Sequence, residues 1–287
     1  MASRRRIAVA AAAVAIGFGA YTHLSSGPDR LARWQDKWDQ KMTAWHLPEQ
    51  HPLLLKYHRQ LLGWQPHESP LPKRSSVLFP LCGTSVDLAA LALRGHAVYG
   101  VEGVKVAVDE LLGSFGEEGM ALPCDQDHRR RADAAGLRLR TSVAPGEAGS
   151  DTPAELKAIE GDFLQLTSSA AAAIGLPKFD AAFDRGALVA VVPSDRSAYA
   201  ATLTGLLAPK GRVLLVTVEH DAFSDGRLGP PFAVSEVQVR ELFGEAFDVE
   251  LLQREDRIDL EPTWRKRGCT HFSETAYLLT RRSGGRS

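Results

Sequence analysis

Four apolar runs in this sequence each end on residues whose types suit a polar ligand. Leu81-Cys82-Gly83-Thr84 follows the run that starts at Val77. A glycine just after a strand lets the backbone approach a ligand that a Cβ would hold away. Glu102 closes the next run, about 20 residues on, where an acid can accept hydrogen bonds from both hydroxyls of a ribose. Asp162 and Phe163 close a third, an acid and an aromatic ring matched to the amino group and face of an adenine. Asp184-Arg185-Gly186 closes a fourth, and an arginine there can steady a thiolate through a charge-assisted hydrogen bond. Each residue also has a structural reading: Asp162 as a helix cap, Phe163 as core, Arg185 as half of an ion pair with an aspartate.

The glycines that are missing discriminate between cofactors. A dinucleotide fold carries G-x-G-x-x-G to seat a pyrophosphate on a helix N-terminus. Here Gly83 is followed by Thr84-Ser85-Val86-Asp87. A carboxylate in that first turn repels a pyrophosphate but not a cationic sulfonium, which favours S-adenosyl-L-methionine over NAD. Trp34, Trp38 and Trp45 recur at helical spacing and read either as core or as a lid over the strand ends. His46, His51 and His58 lack the i,i+4 spacing of helical metal ligands, so no metal is expected. Cys82, Cys124 and Cys269 are odd in number and form no CxxC pair, which suits free thiols in a reducing compartment.

The elements that position these residues follow from periodicity. With Asp29 as cap, Leu31, Trp34, Trp38, Met42 and Trp45 predict one amphipathic helix. A second covers Pro52 to Gly63, and the Pro-rich stretch Gln65 to Pro72 reads as a loop. Strands are expected at Val77–Leu81, Ala97–Val101, Leu156–Ile159, Phe179–Phe183 and Arg212–Glu219. Helices over Ser85–Arg94, Val104–Phe115 and Ser194–Leu207 alternate with them. The turn Pro209-Lys210-Gly211 precedes the fifth strand, and Leu137–Ser142 is a candidate added strand. Ser235-Glu236-Val237-Gln238 is a capping box opening a helix to Phe243. Strands Phe247–Arg254 and Thr275–Thr280 finish the sheet as an antiparallel pair. The alternation predicts an α/β, Rossmann-like fold: a seven-stranded, mostly parallel sheet with helices on both faces.

The chain has 287 residues and a formal net charge of -1, with none of the basic bias of a nucleic-acid reader. Arg4, Arg5 and Arg6 precede an apolar run from Ile7 to Tyr21. That run is short of the ~20 residues of a membrane span, though tilt or thinning can accommodate it. It reads as a membrane anchor, a signal peptide or an Arg-rich organellar presequence. Residues 1–27 are therefore set apart from a domain over 28–287. The arginines would hold that end of the run in the cytosol. A cytoplasmic catalytic domain, membrane-anchored or not, is expected, with an organellar location after presequence removal as the alternative.

The chain resembles the thiopurine S-methyltransferase family from about Asp29 to Thr280. The matching stretches are Trp34-Gln35-Asp36-Lys37-Trp38 with Thr43, Trp45 and His46, then Phe79-Pro80-Leu81-Cys82-Gly83, Arg94-Gly95-His96 and Gly100-Val101-Glu102. Phe179-Asp180 leads to Asp184-Arg185-Gly186-Ala187-Leu188-Val189-Ala190. Gly229-Pro230-Pro231-Phe232, Leu242-Phe243-Gly244 and Tyr277-Leu278-Leu279-Thr280 complete the set.

The resemblance implies that S-adenosyl-L-methionine binds to Trp34, Trp38, Leu81, Gly83, Glu102, Asp162 and Phe163. It places the acceptor, a small-molecule aromatic or heterocyclic thiol, against Trp45, Arg185 and Arg240, with Arg185 nearest the sulfur. Trp45 stands where the family often has phenylalanine. The family's second pocket arginine falls on Glu241, and Arg240 precedes it by one residue, a rotation of about 100° on a helix. A monomeric enzyme is expected. A halide, thiocyanate or selenium methyltransferase and a non-catalytic S-adenosylmethionine-binding membrane protein are the alternatives, and an NAD oxidoreductase is disfavoured.

Overall fold

The computed structural model describes residues 28–64, 74–119, 130, 136–146 and 152–282. The apolar run 7–21, the Pro-rich loop after Gln65, most of the polar stretch from Glu117 to Asp151, and Cys124 lie outside the described residues. No helix among the described residues is long and apolar enough to cross a membrane.

Short runs of buried apolar residues form the central strands β1 (Ser76–Pro80), β2 (Ala97–Glu102), β5 (Ala154–Glu160), β6 (Phe179–Arg185) and β7 (Leu207–His220). These five pair in parallel in the order β5-β2-β1-β6-β7. Near-continuous burial along them is what a parallel sheet covered on both faces requires. One edge carries β9 (Phe272–Arg281) and β8 (Phe247–Asp256), antiparallel as expected. The other edge carries β4 (Arg138–Ala144) and β3 (Glu117–Gly119), also antiparallel. The sheet thus has nine strands among the described residues, two more than the seven expected. One of the extra strands is the candidate added strand near Leu137; the other has only three residues and too little periodicity to read.

Helices α1 (Ala32–Asp39), α2 (Pro52–Leu61), α3 (Val86–Leu93), α4 (Lys105–Phe115), α5 (Ser168–Ala173), α6 (Arg196–Leu206), α7 (Glu236–Phe243) and α8 (Pro262–Lys266) complete the described elements. One core joins α2, α3 and α4 to the sheet through Leu54, Leu61, Leu88, Leu91 and Leu112. The other joins α5, α6 and α7 to the opposite face through Ala171, Tyr199, Leu203, Val239 and Phe243. Ser85 caps α3 by accepting from the Asp87 N–H, and Ser235 and Gln238 close the capping box of α7. Pro209-Lys210-Gly211 lies within β7, where the register with β6 jumps from Phe179↔Leu207 to Ala181↔Arg212. The turn is therefore an irregularity inside one long strand rather than its start.

The N-terminal helix differs more. α1 ends at Asp39, and Lys41 sits at φ 54°, a left-handed conformation that stops a helix. The Lys41 and Met42 N–H groups donate back to the Trp38 and Lys37 carbonyls at 2.9 and 2.8 Å. The chain turns back there, so Met42 and Trp45 are not on the helix that carries Trp34 and Trp38.

Gly100 lies in mid-β2 where a Cβ would sit 2.6 Å from Cys82 Sγ and 2.8 Å from Leu88 Cδ2. Both neighbours are buried. Gly100→Ala should therefore cost about 1–3 kcal/mol of stability through overpacking, read as a lower denaturation midpoint. Adding Cys82→Ala should recover part of the loss, and no recovery would show that sulfur is not the obstacle.

Candidate functional site at the carboxyl ends of the parallel strands

Chain order runs from β1 out to β2 and β5 on one side, and to β6 and β7 on the other. In open α/β sheets the ligand crevice opens at such a reversal, beyond the carboxyl ends of the strands. Glu102 closes β2 there, with only 8% of its surface exposed. Its Oε2 accepts from the Gly83 N–H at 3.0 Å and its Oε1 from the Val104 N–H at 2.8 Å. One carboxylate thereby ties the turn after β1 to the turn after β2. Burial pushes the Glu102 pKa up, and hydrogen bonds from Val104, Gly83 and Gly103 oppose that rise. The turn after β1 is itself unusual: Leu81 has φ 45° and Gly83 φ 52°.

A lid covers this floor. Arg30 donates from Nη1 to Asp162 Oδ2 at 2.8 Å, and its Nε lies 3.6 Å from Asp195 Oδ2, which pins the start of the lid to the sheet. Leu31 packs onto Gly103, where a Cβ would approach its Cδ2 to 2.5 Å. Trp34 and Trp38 follow on α1 and pack with Val104 and Ala107. Because the chain reverses after α1, Trp45 meets Trp34 edge-on at 5.4 Å and Trp38 at 6.2 Å. His46 then drops onto the β1 turn. Its Nε2 accepts from the Thr84 N–H at 3.1 Å, and a Cβ on Gly83 would collide with its ring. Gly83 is thus required by the lid as well as suited to a ligand.

Arg185 ends β6 and projects to the face opposite Asp184. Asp184, fully buried, accepts from Tyr199 Oη at 2.6 Å and from the Leu188 N–H at 3.1 Å. Burial raises its pKa to about 6 against those hydrogen bonds. Arg185 donates from Nη1 to the Trp45 carbonyl at 2.6 Å. Burial lowers the Arg185 pKa, and the charges of Glu274 and Asp87 oppose that drop. Those two acids frame His51, whose N–H donates to Asp87 Oδ1 at 2.9 Å and whose Nε2 lies 3.6 Å from Glu274 Oε2. His51 Nδ1 accepts from the Leu53 N–H and caps α2, so its proton sits on Nε2.

The structure therefore brings together Trp34, Trp38, Trp45, Leu81, Gly83, Glu102 and Arg185. Asp162 stands at the rim as the cap of a short turn, accepting from the Leu164 N–H at 3.0 Å while its other oxygen holds Arg30. Phe163 is buried, its ring 4.9 Å from that of Tyr199, so the core reading describes it. Arg240 is not brought to Arg185. It pairs with Glu236 one turn back at 2.8 Å and donates to the Val249 carbonyl at 3.1 Å, half exposed on α7. Cys82 is buried with its pKa pushed well up, chiefly by burial and then by Glu102, so it is no nucleophile. No group of three or more His, Cys, Asp or Glu among the described residues could hold a metal ion. His46, His51 and Arg30 take part in the site although sequence spacing marks none of them. The tryptophan beside His46 is the one local cue.

Burial, and then Arg185, lowers the His46 pKa from 6.5 to about 4. The folded protein resists a proton that the unfolded chain accepts, so this stability is present above pH 6.5 and is lost as pH falls toward 4. The melting temperature of the native protein should fall relative to His46→Gln across that window. Asp184 titrates in both proteins and cancels in the difference, and parallel curves would contradict the assignment.

The thiopurine S-methyltransferase family model matches residues 30–142 and 145–282. The thiopurine S-methyltransferase of Xanthomonas axonopodis pv. citri is 35% identical over 250 residues, 87% of this chain and 98% of that protein. That of Methylococcus capsulatus is 33% identical over 246 residues, 86% and 95% of the two chains. Among solved structures, a Burkholderia thailandensis 1,6-didemethyltoxoflavin-N1-methyltransferase superposes with a TM-score of 0.52 at 18% identity, over 91% of this chain and 93% of that one. At that identity the likeness speaks for the fold alone. The extent of the family match, with the floor and lid just described, places the chain in the thiopurine S-methyltransferase family, as an S-adenosyl-L-methionine-dependent methyltransferase.

Proposed function

We propose that this protein transfers a methyl group to the sulfur of a small aromatic or heterocyclic thiol. The observation that carries the reading is Arg185, a half-buried cation at the end of β6 whose Nη1 is fixed by the Trp45 carbonyl beneath the tryptophan lid. The residues around Glu102 fit S-adenosyl-L-methionine: a buried acid at the end of β2, and a turn with an acidic residue, Asp87, where a pyrophosphate fold has glycines. Glu102 would hold the ribose, and Trp34, Trp38 and Leu81 would close over the cofactor. When bound, S-adenosyl-L-methionine supplies an electrophilic methyl group on a sulfonium whose departing sulfur is neutral, so no acid is needed.

The protein's own part is positioning. Arg185 would attract an acceptor in its thiolate form and hold the sulfur by a charge-assisted hydrogen bond. The tryptophans exclude water, which strengthens that bond and keeps the nucleophile poorly solvated. Orientation of this kind can supply ~7–11 kcal/mol of rate enhancement in favourable cases.

A methyl-transfer assay over thiopurines, aromatic thiols and halides should give product with thiols. Arg185→Ala should lower kcat by about 10- to 100-fold, the value of one lost charge-assisted hydrogen bond, while binding of S-adenosyl-L-methionine persists. Transfer to halide alone, or unchanged turnover in the variant, would overturn the reading.

A further inference from the structure

Glu274, on β9, shares a face of the sheet with Arg185. Arg185 on β6 is opposite Val216 on β7, and Val216 is opposite Ala276 on β9. Glu274 lies two residues from Ala276, so strand alternation turns it to the same side as Arg185. Two strand spacings, about 10 Å, separate β6 from β9. His51, at the N-terminus of α2, bridges that gap. Its ring centroid lies 6.0 Å from that of Phe183, two residues before Arg185, and its Nε2 lies 3.6 Å from Glu274 Oε2.

The Glu274 carboxylate is held in place without its lone pairs being filled. Oε2 faces His51 Nε2 at 3.6 Å and Oε1 faces Arg257 Nη1 at 3.7 Å, both longer than a hydrogen bond. Arg257 gives its shorter bonds elsewhere, from Nε to Glu261 at 2.8 Å and from Nη1 to Glu255 at 3.2 Å. Glu255 is the cross-strand neighbour of Glu274 on β8, and Arg257 stands between the two acids. The Glu274 side chain is only 15% exposed. Burial pushes its pKa up, but His51, Arg257 and Arg185 together outweigh burial and hold it below the usual carboxylate range. An ionised carboxylate that is mostly out of water and lacks short hydrogen bonds costs free energy that a donor on a ligand would relieve.

The other groups around Arg185 are occupied. Asp87 accepts from the His51 N–H and from the Ser85 hydroxyl. His46 Nε2 accepts from the Thr84 N–H, and His51 Nδ1 from the Leu53 N–H. A heterocyclic thiol rests largely as a thione with an N–H beside the sulfur. As that sulfur bonds to the methyl carbon, the ring gains positive charge and the N–H becomes strongly acidic. A carboxylate of modest basicity is then a sufficient acceptor.

We propose that Glu274 accepts the proton that the methyl acceptor loses, acting across the site from Arg185. This rests on the reading of the Arg185 pocket as the acceptor site. The acceptor sulfur would lie at Arg185 and its N–H at Glu274. The sulfur lone pair forms the new S–CH3 bond, and the sulfonium C–S bond breaks with its electrons on the departing sulfur. The N–H proton passes to the Glu274 carboxylate and from there to solvent.

Two measurements on the full chain test this role. The first compares Glu274→Gln with the native protein on 2-mercaptobenzimidazole, an N–H thione, and on 4-nitrobenzenethiol, a thiolate at neutral pH. On the thione kcat should fall about 100-fold, beyond a KM rise of at most about tenfold. On the thiolate, which brings no proton, kcat should fall less than about tenfold. The second titrates benzimidazolone and 2-indanone into protein saturated with S-adenosylhomocysteine. They share a bicyclic carbonyl shape, with and without N–H groups, and neither offers a sulfur. The native protein should bind benzimidazolone at least about tenfold more tightly, and Glu274→Gln should lose most of that preference. If the preference holds but no thione or thiol is methylated, the N–H site stands and the thiol reading falls. Equal losses on both acceptors, in a variant that melts normally, leave the thiol reading and overturn the role of Glu274. Should the variant not fold, equal binding of the two carbonyl compounds by the native protein overturns it.

Discussion

The site depends on one buried carboxylate. Glu102 spends an oxygen on each of two backbone N–H groups, Gly83 and Val104, that belong to different turns. Taking a carboxylate out of water is costly unless its lone pairs are met. That cost is accepted at the one point where β1 and β2 must hold a common floor. Loss of the charge would free both turns at once. The left-handed Leu81 and Gly83 have no other side-chain tie across to β2 among the described hydrogen bonds.

The lid inherits its position from that floor. His46 rests on Gly83 and accepts from Thr84, and both belong to the turn that Glu102 fixes. From the other end, Arg30 and Leu31 fasten the same segment to Asp162 and Gly103. Between these anchors the three tryptophans make edge contacts, a preferred arrangement for aromatic rings that leaves their faces for other partners. Strand alternation then divides the labour at the end of β6. Asp184 turns inward to Tyr199 and stiffens the strand end, and Arg185 turns to the lid.

Much of this was legible in the sequence because it is local. Apolar runs, a glycine after the first and an acid after the second define a parallel sheet and its ligand edge, and the capping box at Ser235 reads directly. What could not be read depends on contacts between distant residues. The helical spacing of Trp34, Trp38 and Trp45 suggests one continuous face, and only the left-handed Lys41 shows that the chain folds back. Phe163 and Asp162 look alike as adenine contacts until packing assigns one to Tyr199 and gives the other to Arg30. Arg240 is one residue from the family's pocket arginine, and an i,i+4 glutamate was waiting for it. His46 and His51 carry no spacing signal at all, since the partners at Thr84 and Glu274 lie on other elements.

Calorimetric titration of S-adenosylhomocysteine into the native protein and into Glu102→Gln tests the central claim most directly. The isosteric amide keeps the shape but loses the charge, and it can no longer accept from both turns and a ribose diol together. The account predicts binding to the native protein, at least about 30-fold weaker binding to the variant, a loss of some 2 kcal/mol, and no binding of NAD to either. Equal affinity of the two proteins for S-adenosylhomocysteine would contradict it.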